Sequence, residues 1–313
     1  MKFHFIAKAA LTFSFLSTPC LAQAPPVARD HFNRGSSLYQ KGDFEGAIAD
    51  FTKAIEIGMR LDNRGLADDW RGKNGAASNF ENVRVLDPLA AAAYSNRGLA
   101  RYQLRDYEGA IADCDSALAI DPRLGSAYNN RGIARFALKD YDRALADFNR
   151  ALAINPRDAQ TYNNRASVYM EKEDLDRAIA DFDRAIALEP RITRIYYNRG
   201  EARLEKGDGN GALKDFEKAL ALDPRFAPGY YGRAMVMWVR NELDRAINDF
   251  NRAIELDPRY GPAYGNRGLA LLRQGKDAEA EKDFERAVAV TPELKAKLEL
   301  SIERVKKWRQ TNR

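Results

Sequence analysis

Asparagine followed by arginine recurs at Asn33-Arg34, Asn63-Arg64, Asn96-Arg97, Asn130-Arg131, Asn164-Arg165, Asn198-Arg199 and Asn266-Arg267, with Gly232-Arg233 as the break in the series. A carboxamide donates and accepts at once, as a peptide group does, so a row of asparagines can hold an extended backbone with little regard for its sequence. A guanidinium is a rigid fork of donors that matches a carboxylate. An acid follows the arginines at Asp50, Asp113, Asp147, Asp181, Asp215, Asp249 and Asp283. The pattern predicts one Arg–Asp pair in each of those seven units, among them Arg97–Asp113, Arg131–Asp147 and Arg165–Asp181. Because an acid travels with each arginine, pairing within the fold outweighs anion binding.

Residues for catalysis or metal binding are sparse, and the sequence predicts neither, nor any cofactor. Beyond the first 22 residues His31 is the sole histidine, without metal-ligand or triad company. The glycines of Gly207-Asp208-Gly209-Asn210-Gly211 fall at a turn between helices rather than after a strand, which argues against a phosphate loop. Cys114 takes the slot that Phe148, Phe182, Phe216, Phe250 and Phe284 fill in later copies, so it reads as a packing residue.

Pro88, Pro122, Pro156, Pro190, Pro224, Pro258 and Pro292 stand 34 residues apart. A fixed period of this size means stacked supersecondary units, each too small to bury its apolar face alone. Within 125–158, Tyr141, Ala144, Leu145, Phe148, Ala151 and Leu152 follow helical spacing, with Asp140 as the expected N-cap and Pro156 beyond the end. The half before it, Ser126 to Leu138, is helical in pattern too, so each unit is a helix–turn–helix. Gly98, Gly132, Gly200 and Gly268 share one slot with Ala166 and Ala234, and alanines fill two more slots in every copy (Ala144 and Ala151 in this one). Such small contacts allow helices to pack at the short end of the usual spacing.

The units are expected as two degenerate copies over 28–90 and six regular ones at 91–124, 125–158, 159–192, 193–226, 227–260 and 261–294. The second copy is worn, with Gly72-Lys73-Asn74-Gly75 in its middle, and Gly58-Met59 closes the first where later copies carry an acid and proline. Residues 295–313 continue as a basic helix with Leu298, Ile302 and Val305 on one stripe beside Trp308. It reads as a cap over the last unit, a reading preferred to a membrane-surface anchor through Lys306, Lys307, Arg309 and Arg313 because the stripe has a core to cover.

The small-residue slots, the aromatic slots and the proline after the second helix resemble the tetratricopeptide repeat family over nearly the whole chain, with arginine before the glycine where that family often has an apolar residue. The resemblance implies an all-α, right-handed superhelical solenoid of helix-turn-helix repeats with a C-terminal capping helix. It also implies that the outward side of each first helix lines a concave groove for a protein or peptide client. On a wheel of about 100° per residue with Tyr128 at zero, Gly132 and Phe136 lie within about 80°, Asn129 at about 100° and Asn130 at about 200°. The ladder of Asn33, Asn63, Asn96, Asn129, Asn130, Asn163, Asn164, Asn198 and Asn266 is thus expected to face a client, as a similar ladder does in the repeat superhelix of O-GlcNAc transferases. Bonding to neighbouring repeats is the alternative. Tyr197, Tyr231 and Trp238, with Tyr102, Phe136 and Met170, are the expected aromatic and apolar anchors. Beside Glu171, Glu201 and Glu205 they suit a peptide with apolar and basic side chains. Groove lysines of the two-carboxylate-clamp type are missing.

The N-terminus reads as a secretory signal: Lys2 and Lys8, an apolar run from Ala9 to Leu16, then Cys20-Leu21-Ala22 before a cleavage site. The run is too short to span a bilayer, and Pro19 before Cys20 argues against a lipoprotein. A periplasmic or secreted protein is expected, with residues 23–27 as a linker. Without residues 1–22 the chain has 48 basic and 45 acidic residues, and the tail 295–313 holds seven of the former and two of the latter. The body is therefore slightly acidic, which argues against nucleic acid as a partner. Exported relatives of this kind imply an adaptor in envelope assembly. The other classes kept open are an accessory subunit of a transferase-type enzyme and a self-assembling array.

Overall fold

The computed structural model describes residues 24–74 and 88–311, and of residues 60–74 the backbone alone. The expected signal segment, residues 75–87 and the last two residues lie outside the described residues, as do the side chains of Asn63, Arg64 and Trp70. Among the described residues there are fifteen α-helices, one short 3-10 turn and no strand. They are α1 (Pro26–Gln40), α2 (Phe44–Asn74), α3 (Pro88–Gln103), α4 (Tyr107–Ile120), α5 (Gly125–Ala137), α6 (Tyr141–Ile154), α7 (Ala159–Glu171) and α8 (Leu175–Leu188). Then come α9 (Thr193–Lys206), α10 (Gly209–Leu222), α11 (Ala227–Val239), α12 (Leu243–Leu256), α13 (Gly261–Arg273), α14 (Asp277–Val290), the 3-10 turn Pro292–Leu294 and α15 (Lys295–Thr311). Two compact units divide the chain, the first ending at Val168 and the second beginning at Tyr169. Each is built of the antiparallel helix pairs of a solenoid.

Local chemistry sets the helix ends. Asp106, Asp140, Asp174 and Asp208 cap second helices, each carboxylate accepting the N–H three residues on. The second helices end at Asp121, Asn155, Glu189, Asp223, Asp257 and Thr291, which stand before the periodic prolines; Asn155 has φ −126° and ψ 89°. A residue before proline is pushed out of the α region, so the helix must stop there. Between the two helices of a pair, one residue turns left-handed: Gly42, Gly207 and Gly275 do so without a Cβ, whereas Arg105, Lys139, Glu173 and Asn241 do so at φ 61–64°.

The small slots set the closeness of the helices. A Cβ on Gly132 would lie 2.7 Å from the Phe148 ring, and one on Gly200 equally close to Phe216. Ala144, Phe148 and Ala151 are buried, as are Ala212, Phe216 and Ala219. Cys114 is buried in the phenylalanine slot, and burial pushes its thiol well above the ordinary cysteine range.

Two features depart from the periodic expectation. First, α2 runs 31 residues without a break, because Gly58-Met59 lacks the proline that would end it. Second, Leu89, Ala92, Ala93 and Leu99 of α3 share one core with Phe32, Phe51 and Ala54 of α1 and α2. Gln103 Nε2 also donates to the Tyr39 hydroxyl at 2.9 Å. The first helix pair thus packs directly on α3. Pro88 is the first residue of α3, where its missing N–H costs nothing. Likewise Pro26 and Val27, read as linker, already belong to α1.

At the other end, Leu298 and Val305 of α15 are buried with Leu269, Leu272 and Phe284 in one cluster, with Ile302 packed beside them. The Arg273 guanidinium stacks on Trp308 at 4.2 Å and on Trp238 at 5.3 Å, and Arg309 pairs with Asp277. The last helix is a cap. Among the described residues no helix is long and apolar enough to cross a membrane.

Candidate functional site

The arginines are three-way joints. Arg131 Nη2 and Nε meet Asp147 at 2.6 and 3.0 Å, joining α5 to α6, while Nη1 reaches back to Asp115 of α4 at 2.5 Å. Its guanidinium also lies 5.3 Å from the Tyr128 ring centre. Burial opposes the charge on Arg131, but the hydrogen bonds to Asp147 and Asp115 outweigh it and hold the proton more tightly than usual. Arg199 repeats the arrangement in the second unit with Asp215, with Asp183 of α8 and with Tyr196. Arg97 pairs with Asp113 at 2.6 Å and donates to Thr52 of α2 at 3.0 Å, and Arg267 pairs with Asp283 and reaches Asn251 at 2.7 Å. Arg34–Asp50 and Arg233–Asp249 are also paired. Arg165 donates to Asn149 at 2.7 Å, and Asp181 is buried. The expected pair is thus present at Arg34, Arg97, Arg131, Arg199, Arg233 and Arg267, and the backward partner, sixteen residues upstream of Arg131, Arg165, Arg199 and Arg267, was missed. Its signal was in the sequence: Asp115, Asn149, Asp183, Glu217 and Asn251 keep that spacing.

Asn129, Asn130, Asn164 and Asn266 bond between repeats. Asn130 Nδ2 donates to the Ser95 hydroxyl at 3.0 Å, Asn164 Nδ2 to Asn129 Oδ1 at 3.0 Å, and Asn266 Nδ2 to the Tyr231 hydroxyl at 2.9 Å. Each bond spans 35 residues and ties a first helix to the one before it. Asn129 Oδ1 also accepts from the Thr161 hydroxyl, and Asn164 Oδ1 from Gln160 and Asn163. Asn129, Asn163, Asn164, Asn198 and Asn266 are buried, Asn96 and Asn130 half-buried, and Asn33 exposed. For Asn129, Asn130, Asn164 and Asn266 the expected client-facing role is therefore corrected: the wheel placed Asn130 away from its own partner helix, but the preceding first helix occupies that side.

Tyr197 and Tyr231 are corrected in the same way: both are buried, their rings against Phe216, Phe226, Phe250 and Tyr260. Trp238 is half-buried and covered on one face by Arg273. Their hydroxyls make a polar line instead. Tyr197 donates to Glu201 Oε1 at 2.7 Å, and Tyr260 is hydrogen-bonded to Tyr197. Glu201 is partly exposed, and burial pushes its carboxyl up to about 8, with Glu205 adding to the rise against the Tyr197 hydrogen bond. Along the same faces Tyr102, Phe136, Met170, Glu171, Glu205, Met235 and Trp238 are half-buried and Val239 is exposed. Among the described residues no group of three His, Cys, Asp or Glu side chains is placed to hold a metal. Tyr260 was missed because it stands in a turn, outside the helical slots that carried the pattern.

Tetratricopeptide repeat family models match residues 28–59, 91–124, 125–158, 148–180, 165–230 and 231–294. A tetratricopeptide repeat protein of Parabacteroides merdae superposes with a TM-score of 0.63 at 20% identity, over 89% of this chain and 100% of that one. PilF of Pseudomonas aeruginosa gives 0.57 at 21% identity, over 69% and 96% of the two chains. Yeast Tom70 gives 0.55 at 21% identity, over 97% and 68%. No curated protein matches the chain. Proteins of this repeat fold are protein–protein interaction scaffolds and are generally non-catalytic. From its matched repeats and its paired helices, the chain belongs to the tetratricopeptide repeat family.

Proposed function

We propose that this protein is a non-catalytic adaptor that holds an extended segment of a client protein against the face formed by its first helices. The observation that carries the reading is the direct bonding of one first helix to the next, Asn130 to Ser95 and Asn266 to Tyr231. It makes a continuous surface within each unit and leaves the non-repeating side chains on it, Tyr102 and Phe136 in one and Glu201, Glu205, Met235 and Val239 in the other. Periodic residues build the scaffold, and the variable ones give the surface its selectivity. The charged start, short apolar run and small residues of 1–22 support an exported protein whose client belongs to the cell envelope.

Capture of clients from envelope extract tests this with the double variant Glu205→Lys, Val239→Arg, which changes the face without entering the core. Loss of capture with unchanged helicity supports the reading, and undiminished capture contradicts it. Fractionation with and without residues 1–22 tests export: the full chain leaves the cytoplasm and the shortened one stays.

A further inference from the structure

Glu201 differs from the other inward acids of the second unit. Asp215 faces Arg199 and Arg203, Asp249 faces Arg233, and Asp283 faces Arg267. Glu201 faces tyrosines. Its Oε1 takes the Tyr197 hydroxyl, Tyr197 is bonded in turn to Tyr260, and the Tyr260 ring meets Tyr231 of α11 edge-on at 5.2 Å. The carboxyl thus stands on a floor laid by α9, α11 and the turn before α13.

Every base on α9 is committed elsewhere. Arg194 lies over the Phe226 ring at 5.8 Å, Arg199 holds Asp215 and Asp183, Arg203 holds Asp215, and Lys206 pairs with Asp176. The ionisable groups near Glu201 are Tyr197 and Glu205 on its own helix, Tyr231 on α11 and Tyr260 before α13. None of them is a cation. A carboxylate taken partly out of water without a cation is costly, and the raised pKa of Glu201 is the measure of that cost.

We propose that Glu201 is the receptor for a lysine side chain of the bound client. The assignment rests on the first-helix face as the client surface. It favours ammonium over guanidinium because Oε1 already accepts from Tyr197, so a guanidinium fork would have to share that oxygen with the hydroxyl while an ammonium can sit on Oε2 alone. Arginine's planar fork calls for two, whereas an ammonium is a compact point charge. The tyrosine floor lowers the local dielectric and so strengthens the contact. At neutral pH the free site is largely protonated, so binding expels the Glu201 proton to solvent while the lysine keeps its own.

Calorimetry with the end-blocked peptide Ala-Ala-Lys-Ala-Ala, and with norleucine in place of lysine, tests the proposal on the full protein. The lysine peptide is expected to bind about tenfold tighter or better, Glu201→Gln to remove the difference, and lysine binding near pH 7 to release protons. The norleucine arm needs no altered protein, so a poorly folding variant cannot mask the answer. Equal affinity for the two peptides, or a lysine preference that survives in Glu201→Gln, overturns the assignment. Each peptide is also competed against a captured client. If both displace it equally, the face reading stands and the lysine assignment fails. If neither does, the face reading fails and takes the assignment with it.

Discussion

The Asn130 carboxamide donates to the Ser95 hydroxyl at 3.0 Å, and Ser95 is buried. A side chain whose type suited it to hold a client's backbone instead holds its own neighbour. Replacing Asn266, whose partner is the buried Tyr231 hydroxyl, with alanine should cost about 1–3 kcal/mol, since a buried polar group is left unmet. Chemical denaturation measures the loss, and client capture by the folded variant should be unchanged. A variant of full stability that loses capture would restore the client-facing role.

Arg131 binds Asp147 within its repeat and Asp115 in the one before, and Asp147 is buried. Arg131→Gln should therefore destabilise, but by less than about 3–5 kcal/mol, the cost of an uncompensated buried charge, because Arg135 Nη1 still holds Asp147 Oδ2 at 2.7 Å. Asp147→Asn in the same chain should recover part of that loss. Additive losses in the double-mutant cycle would mean that the two side chains do not act together.

Gly200 lies against the Phe216 ring with no room for a side chain. Gly200→Leu is expected to destabilise by about 1–3 kcal/mol or more through overpacking. Gly200→Ala should cost less, because Ala166 and Ala234 occupy the equivalent slot in other repeats. Thermal melts of the two variants check the order.

The Glu201 pKa, raised from 4.5 to about 8, has a signed consequence. The folded protein holds a proton between these values that the unfolded chain has released, so this group's contribution to stability falls as pH rises through that window. Glu201→Gln should flatten the pH dependence of unfolding between about pH 5 and 8 and leave acid-side stability nearly unchanged. Identical pH profiles for the two proteins would contradict the local environment described for Glu201.

The period, the paired helices, the N-capping aspartates and the Arg–Asp pairs were legible in the sequence because each depends on spacing within one repeat. The Asn130–Ser95 and Arg131–Asp115 bonds were not read, because they join different repeats, and a helical wheel describes a helix by itself. The direct packing of Phe51 and Leu89 in one core was hidden for a related reason. A run such as Asn63-Arg64-Gly65 matches the repeat pattern, yet α2 continues through it because nothing at Gly58-Met59 ends the helix. Glu201 was visible as an acid among aromatics, but its lack of a cation appears only when Arg199, Arg203 and Lys206 are seen to be engaged elsewhere.

The central claim, that the first-helix face receives the client, is tested most directly by placing a photo-crosslinking residue at single positions. Ala137 and Val239 lie at the ends of the first helices α5 and α11, and Arg150 and Lys218 are exposed on the second helices α6 and α10. Illumination in the presence of client should give adducts from positions 137 and 239 and none from 150 and 218. Adducts from 150 and 218 with none from 137 and 239 would contradict the account.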